Sequence, residues 1–258
     1  MAIYQNRKML ITVKTYPLPS KKTIEASCTA GITEDGNWIR LPPLPFRYLE
    51  YEKQFKKYQW IEASVTKASD PRPESYKVAL DSIRITGEPL PTSNNWKVRK
   101  EIVLPLAVPS LCYLQKTKTG TGATLGIFKP RIIRELIIEP EDYPEWTEQE
   151  LAILSQQSMF DRKSVKPLEK IPLKFFYSFY CNDPYCEGHR LSITDWEIGE
   201  AYRKWRQHYG ERWENYFRQK FEYEVIYIFD TYLYVGTTRA HPDVWIITGL
   251  FYPHKEVS

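Results

Sequence analysis

The sequence predicts an α+β protein, with a small antiparallel β-barrel of the OB or SH3 kind over residues 1–130 and a mixed domain of strands and a long aromatic helix over residues 131–258. Three observations predict it. Short β-branched and aromatic runs separated by turn residues fill the first part, the character of the pattern changes after residue 130, and the charge divides at the same place. Residues 1–130 hold 20 Lys and Arg against 11 Asp and Glu, a net of +9, while residues 131–258 hold 16 against 21, a net of −5, in keeping with +4 for the chain.

At 258 residues and 42% hydrophobic content the chain can bury one large or two modest cores. No apolar run approaches the roughly 20 residues that cross a bilayer. The opening residues lack the apolar segment of a secretory signal, and four scattered cysteines are too few for a disulfide framework. The expectation is a cytoplasmic protein with no membrane partner, its thiols reduced or metal-bound.

Residues 9–14, 37–41, 58–65 and 82–85 read as strands, with Gly36-Asn37 closing a turn and the proline-rich residues 70–76 interrupting the pattern. Residues 41–48 (LPPLPFRY) are a stiff, polyproline-like connection that tucks Leu44 and Phe46 against the barrel. As a docking segment, the same stretch would suit a scaffold with a protein partner. Arg40, Arg47 and Arg72 sit on or beside these rigid turns, where a cation can position a phosphate.

Residues 115–130 read as a basic, glycine-containing loop. Gly120-Thr-Gly122 lacks the lysine of a Walker loop, and Gly126 falls one place late for the dinucleotide fingerprint. Lys116, Lys118 and Lys129 would let such a loop clamp nucleic acid.

Residues 131–138 read as a strand and residues 140–144 as a break. Thr147 and Glu150 form a capping box for a helix ending near Met159. A proline-rich linker over residues 166–172 leads into the aromatic strand of residues 173–180. Thr194 and Glu197 form a second box, opening a helix whose Ile198, Tyr202, Trp205, Tyr209, Trp213 and Tyr216 recur at helical spacing as a core stripe. Gly210 bends or divides it. Arg203 and Arg206 lie off the stripe, free for phosphate. Residues 223–230 and 244–251 read as closing strands.

Between the aromatic strand and the long helix lies Cys181-Asn-Asp-Pro-Tyr-Cys186-Glu-Gly-His189, which holds two of the four cysteines and one of the four histidines. Thiolate and imidazole are the donors zinc prefers, and Pro184 and Gly188 let the run fold back as a knuckle. A closed site needs a fourth donor. Cys28, Cys112, His208, His241 and His254 are the candidates, with His241 favoured because it leads into a strand able to pair with the one ending at Cys181. The alternative makes Cys181 a buried strand residue, Cys186 a free thiol and His189 a partner for carboxylates.

The functional expectation is nucleic-acid binding, DNA or RNA, through the basic β-rich domain and the flank of the helix, with a structural zinc knuckle. The alternative is a metal-dependent nuclease holding Mg or Mn on Asp195, Glu197, Asp230 and Asp243. A scaffold subunit is the third reading. No nucleophile motif such as Gly-x-Ser-x-Gly occurs.

Overall fold

The computed structural model describes residues 3–156 and 165–256 of a mixed α+β protein rich in antiparallel sheet. The chain divides into two compact units.

The first unit comprises residues 1–68, 75–89 and 139–174. Its strands are β1 (Gln5–Lys14), β2 (Leu18–Ser20), β3 (Ile24–Thr33), β4 (Trp38–Leu44), β5 (Trp60–Lys67), β6 (Tyr76–Val78) and β7 (Arg84–Ile85). They form one sheet in the order β2-β3-β1-β5-β6, with β4 on β3 and β7 on β5. Met9, Leu10 and Ile11 of β1 are fully buried, as are Ile32, Phe55 and Ile61 around them. Opposite Ile11, β3 carries Gly31, where a Cβ would stand 2.3 Å from the Leu10 carbonyl oxygen. Among the described residues no closed barrel is found: β4 lies beside β6, with the bridge Arg40–Ser75 between β4 and the segment before β6, but the two are not paired as a ladder. Residues 41–48 enter β4 and a short 3-10 turn, and their Leu41, Leu44 and Phe46 point into the core. Helix α3 (Glu148–Ser155) also belongs here and starts at the Thr147–Glu150 capping box. Its expected end at Met159 lies outside the described residues.

The second unit comprises residues 69–74, 90–138 and 175–258. After α1 (Ser93–Val103) come β8 (Ala107–Val108), α2 (Leu111–Thr121), β9 (Leu125–Phe128) and β10 (Ile132–Pro140). Then follow β11 (Leu173–Tyr180), β12 (His189–Ser192), α4 (Trp196–Tyr209), α5 (Trp213–Arg218), a π-helical segment (Gln219–Ile228), β13 (Tyr232–Thr237) and β14 (Trp245–Phe251). The sheets are β10-β11-β12 and β14-β13-β9-β8, with β8 and β9 parallel.

Three sequence expectations change here. Residues 115–130 are not a loop: Ser110 caps α2 by accepting from the Tyr113 amide, Gly122 ends it in a left-handed conformation, and β9 follows. Gly126 is small for packing rather than for phosphate, since a Cβ there would lie 2.7 Å from Leu114 Cδ1 of α2. Residues 223–228, read as part of a closing strand over 223–230, are instead helical, within a π-helical segment over 219–228. Phe217, Phe221 and Val225 recur every fourth position and are buried, so tertiary packing overrides the β propensity of this aromatic run.

The third change is at the start of α4, where Asp195 rather than Thr194 is the cap. Asp195 is 2% exposed; one carboxylate oxygen accepts from the Glu197 amide at 2.6 Å and the other from the Leu250 amide of β14 at 3.2 Å. Gly249 leaves room for that approach. The long helix is divided at Gly210, as expected, by a 3-10 turn with φ of +56°. Its stripe also divides: Ile198, Tyr202 and Trp213 are core, whereas Tyr216 is exposed.

Candidate metal centre

Strand β11 alternates buried Phe175, Tyr177 and Phe179 with half-exposed neighbours, and this phase carries Cys181 inward, where it is fully buried. The chain then turns sharply. The Asp183 side chain accepts from the Tyr185 amide and the Asp183 carbonyl from the Cys186 amide. Gly188, at φ +100°, returns the chain against the Tyr180 ring, where a Cβ would have only 3.2 Å. His189 opens β12 opposite Phe179, its ring 5.3 Å from that ring. The strand, the turn and the glycine thus aim three donors at one point.

The fourth donor is Cys112, in the first turn of α2. Its Sγ lies 3.2 Å from His189 Nε2, and the donor atoms of Cys112, Cys181, Cys186 and His189 all lie within 4.8 Å of one another. His241, the favoured candidate from sequence, is instead exposed after β13, its amide donating to the Thr238 hydroxyl. Among the described residues this is the group of cysteine, histidine and carboxylate side chains that could hold a metal ion. Tetrahedral bonds of about 2.3 Å to sulfur and 2.0–2.1 Å to nitrogen put donors about 3.6–3.8 Å apart, so the four need to move by no more than about 1 Å.

Backbone amides serve the sulfurs. The Cys181 amide donates to Cys186 at 3.2 Å, and the Leu111 and Cys112 amides near Cys181 and the Gly188 amide near Cys186 favour the charged forms of those sulfurs. Two of these come from the positive end of α2, which favours thiolate. Burial pushes the Cys112 thiol up to about 12, with the neighbouring Cys181 adding to it. Burial also raises Cys181; at Cys186 it acts the same way, but the amides prevail and the thiol is lowered. Burial lowers His189, which keeps its ring neutral and its nitrogen available. Lys116 of α2 pairs with Asp183 at 3.1 Å, pinning helix to knuckle.

The cations picked out from sequence are largely engaged within the protein. Arg47 pairs with the buried Glu25 at 3.3 Å, Arg72 clasps Asp70 at 2.6 Å, and Arg40 is half-buried in β4. Lys118 pairs with Asp243, Lys129 with Asp230, Arg203 with Glu200 and Arg206 with Glu211. The acidic residues of the nuclease alternative are likewise dispersed. Asp195 is the buried helix cap, Glu197 is on the exposed first turn of α4, and Asp230 and Asp243 answer different lysines.

No sequence spacing links Cys112 to the knuckle, 69 positions later. The available signal was local: Ser110 is a good N-cap, and a cysteine two places after a cap sits where helix amides gather.

A family model described as a domain of unknown function (DUF8758) matches residues 5–105, and another so described (DUF8757) matches residues 107–258. No curated protein matches the chain.

Proposed function

The chain belongs to the DUF8757 family through residues 107–258, and from that premise we propose that this part is a zinc-binding domain whose Cys112, Cys181, Cys186 and His189 close a structural tetrahedral centre. The convergence of the four donors carries the reading. Three thiolates and one imidazole suit a borderline-soft ion and offer no oxygen for magnesium. Four protein donors leave no position for a substrate or a reactive water, so the ion clasps α2 to the β11–β12 hairpin and performs no chemistry itself. Elemental analysis of protein purified without a metal-binding tag tests this: one zinc per chain, lost in Cys181→Ser, is the expected result, and a metal-free folded protein refutes it.

A second reading, nucleic-acid binding, is favoured by the excess of nine positive charges over residues 1–130. Lys21, Lys22, Lys77 and Arg84 are exposed and form no ion pair among the described residues, so they rather than Arg47 or Arg72 would meet phosphate. Affinity for single- or double-stranded oligonucleotides should fall steeply with salt. Absence of binding to either at about 50 mM salt removes the reading.

A further inference from the structure

The helical run from α4 to the π segment has a second face that the core does not use. Tyr209, Tyr216 and Tyr223 lie at seven-residue intervals on either side of the Gly210 break and the change to π-helical winding, and Tyr227 follows. Tyr216, Tyr223 and Tyr227 are 42%, 50% and 63% exposed. The Tyr209 and Tyr216 rings stack with centroids 3.7 Å apart and planes 16° apart, and the Tyr223 and Tyr227 rings lie 5.3 Å apart. Arg212, exposed and without an ion pair among the described residues, ends the 3-10 turn that joins the segments carrying Tyr209 and Tyr216. Lys220 lies between Tyr216 and Tyr223 and pairs with Glu224.

At the end of the same run is a groove of about 380 Å³, lined in part by Ile226, Phe229, Lys129, Arg131 and Lys255. Its acids are already answered, Asp230 by Lys129 and Glu256 by Lys100. Among the described residues the exposed Arg131 guanidinium has no ion-pair partner, and the Lys255 ammonium donates to the neutral Ile226 and Tyr227 carbonyls. Two pairs of tyrosine rings, an arginine without an ion pair among the described residues and a groove with surplus positive charge match the two halves of a single-stranded nucleic acid: bases that stack and phosphates that need cations. Tyrosine also serves protein interfaces, so it is the surplus positive charge beside the rings that favours a polyanion.

We propose that Tyr209, Tyr216, Tyr223 and Tyr227 form a stacking platform for single-stranded nucleic acid, with Arg212, Arg131 and Lys255 taking its phosphates. The proposal rests on the nucleic-acid reading above for its ligand class, specifies a single strand, and places it on a surface outside residues 1–130. Fluorescence anisotropy of labelled oligo(dT) of about 20 nucleotides, titrated with the full chain at about 50 mM salt, tests it. Tyr227→Ala should weaken binding about fivefold or more and the Tyr216→Ala/Tyr223→Ala/Tyr227→Ala variant at least about tenfold. Arg131→Gln should flatten the dependence of log affinity on log salt by about 0.7. These side chains are exposed, so circular dichroism of Tyr227→Ala serves as the folding control. Binding that the tyrosine variants leave unchanged overturns the platform while sparing the wider reading. Binding to duplex alone does the same, and binding to neither overturns both. Self-association of the chain that the tyrosine substitutions abolish, without oligonucleotide binding, reassigns the face to protein contact.

Discussion

If zinc binds as proposed, replacing Cys112 with alanine removes one of its donors and the metal-mediated tether between α2 and the knuckle. A metal bonded to Cys112 and Cys181 closes a loop of about 70 residues, and the chain-entropy relation for cross-links gives about 4 kcal/mol for it. At about 2–4 °C per kcal/mol for a chain of this size, the zinc-loaded variant should melt roughly 10 °C below the zinc-loaded parent. The assay is thermal unfolding of both proteins, with excess zinc and with chelator, alongside metal analysis. In chelator the two curves should nearly coincide, because neither retains the tether. Cys28→Ala, a change at an exposed thiol of β3 outside the donor set, should behave as the parent. The reasoning is refuted if Cys112→Ala keeps one zinc and melts within about 2 °C of the parent, or if the gap persists undiminished in chelator, which would assign it to packing.

The pH dependence of zinc affinity follows from the same geometry. Cys112 and Cys181 both titrate above the ordinary thiol range in the metal-free protein, so each must release a proton to the solvent on binding, and affinity should rise at least about 100-fold per pH unit between about 6.5 and 8 by competition titration; a slope clearly below two protons would contradict this. Asp195→Ala leaves the Glu197 and Leu250 amides without an acceptor and should lower stability by about 2–4 kcal/mol in urea unfolding, whereas a loss under about 0.5 kcal/mol would show the cap to be dispensable. Arg72 holds Asp70 down at about 2 against an ordinary 3.8, through the hydrogen bonds of its guanidinium. A lowered folded-state value contributes stability above the unfolded value, and that stability is lost as pH falls from about 4 to about 2. Arg72→Gln should therefore flatten the acid limb by about 1–2 kcal/mol after allowance for solvent screening; an unchanged limb would show that Asp70 is not held by Arg72.

The parts of this protein legible in its sequence are those fixed by neighbours along the chain. The aromatic strand of residues 173–180, the Thr147–Glu150 box, the break at Gly210 and the crowding of Cys181, Cys186 and His189 all act over a few residues, and all appear where they were read. What resisted reading depends on tertiary packing. The run of residues 219–228 is rich in aromatic and β-branched side chains and taken alone prefers a strand; it is helical because Phe217, Phe221 and Val225 bury one face. Residues 111–121 carry four threonines or glycines at their end, a poor helical composition, yet Ser110 and Gly122 terminate the helix cleanly at both ends. Cys112 could not be chosen over Cys28 or the histidines, because no local pattern encodes the approach of α2 to the hairpin. Tyr216 was read as core because seven-residue spacing does not say which side of a helix meets the sheet.

The separation between Cys112 and the other three donors divides the proposed centre into a local and a long-range part. Cys181, Cys186 and His189 are contained in nine residues, and a loop of about ten residues closes in roughly 10–100 ns. If zinc binds as proposed, these three would be in place to hold it as soon as the hairpin exists. Cys112 would join them only once α2 is seated, so the full donor set would report completion of the whole unit rather than of the hairpin.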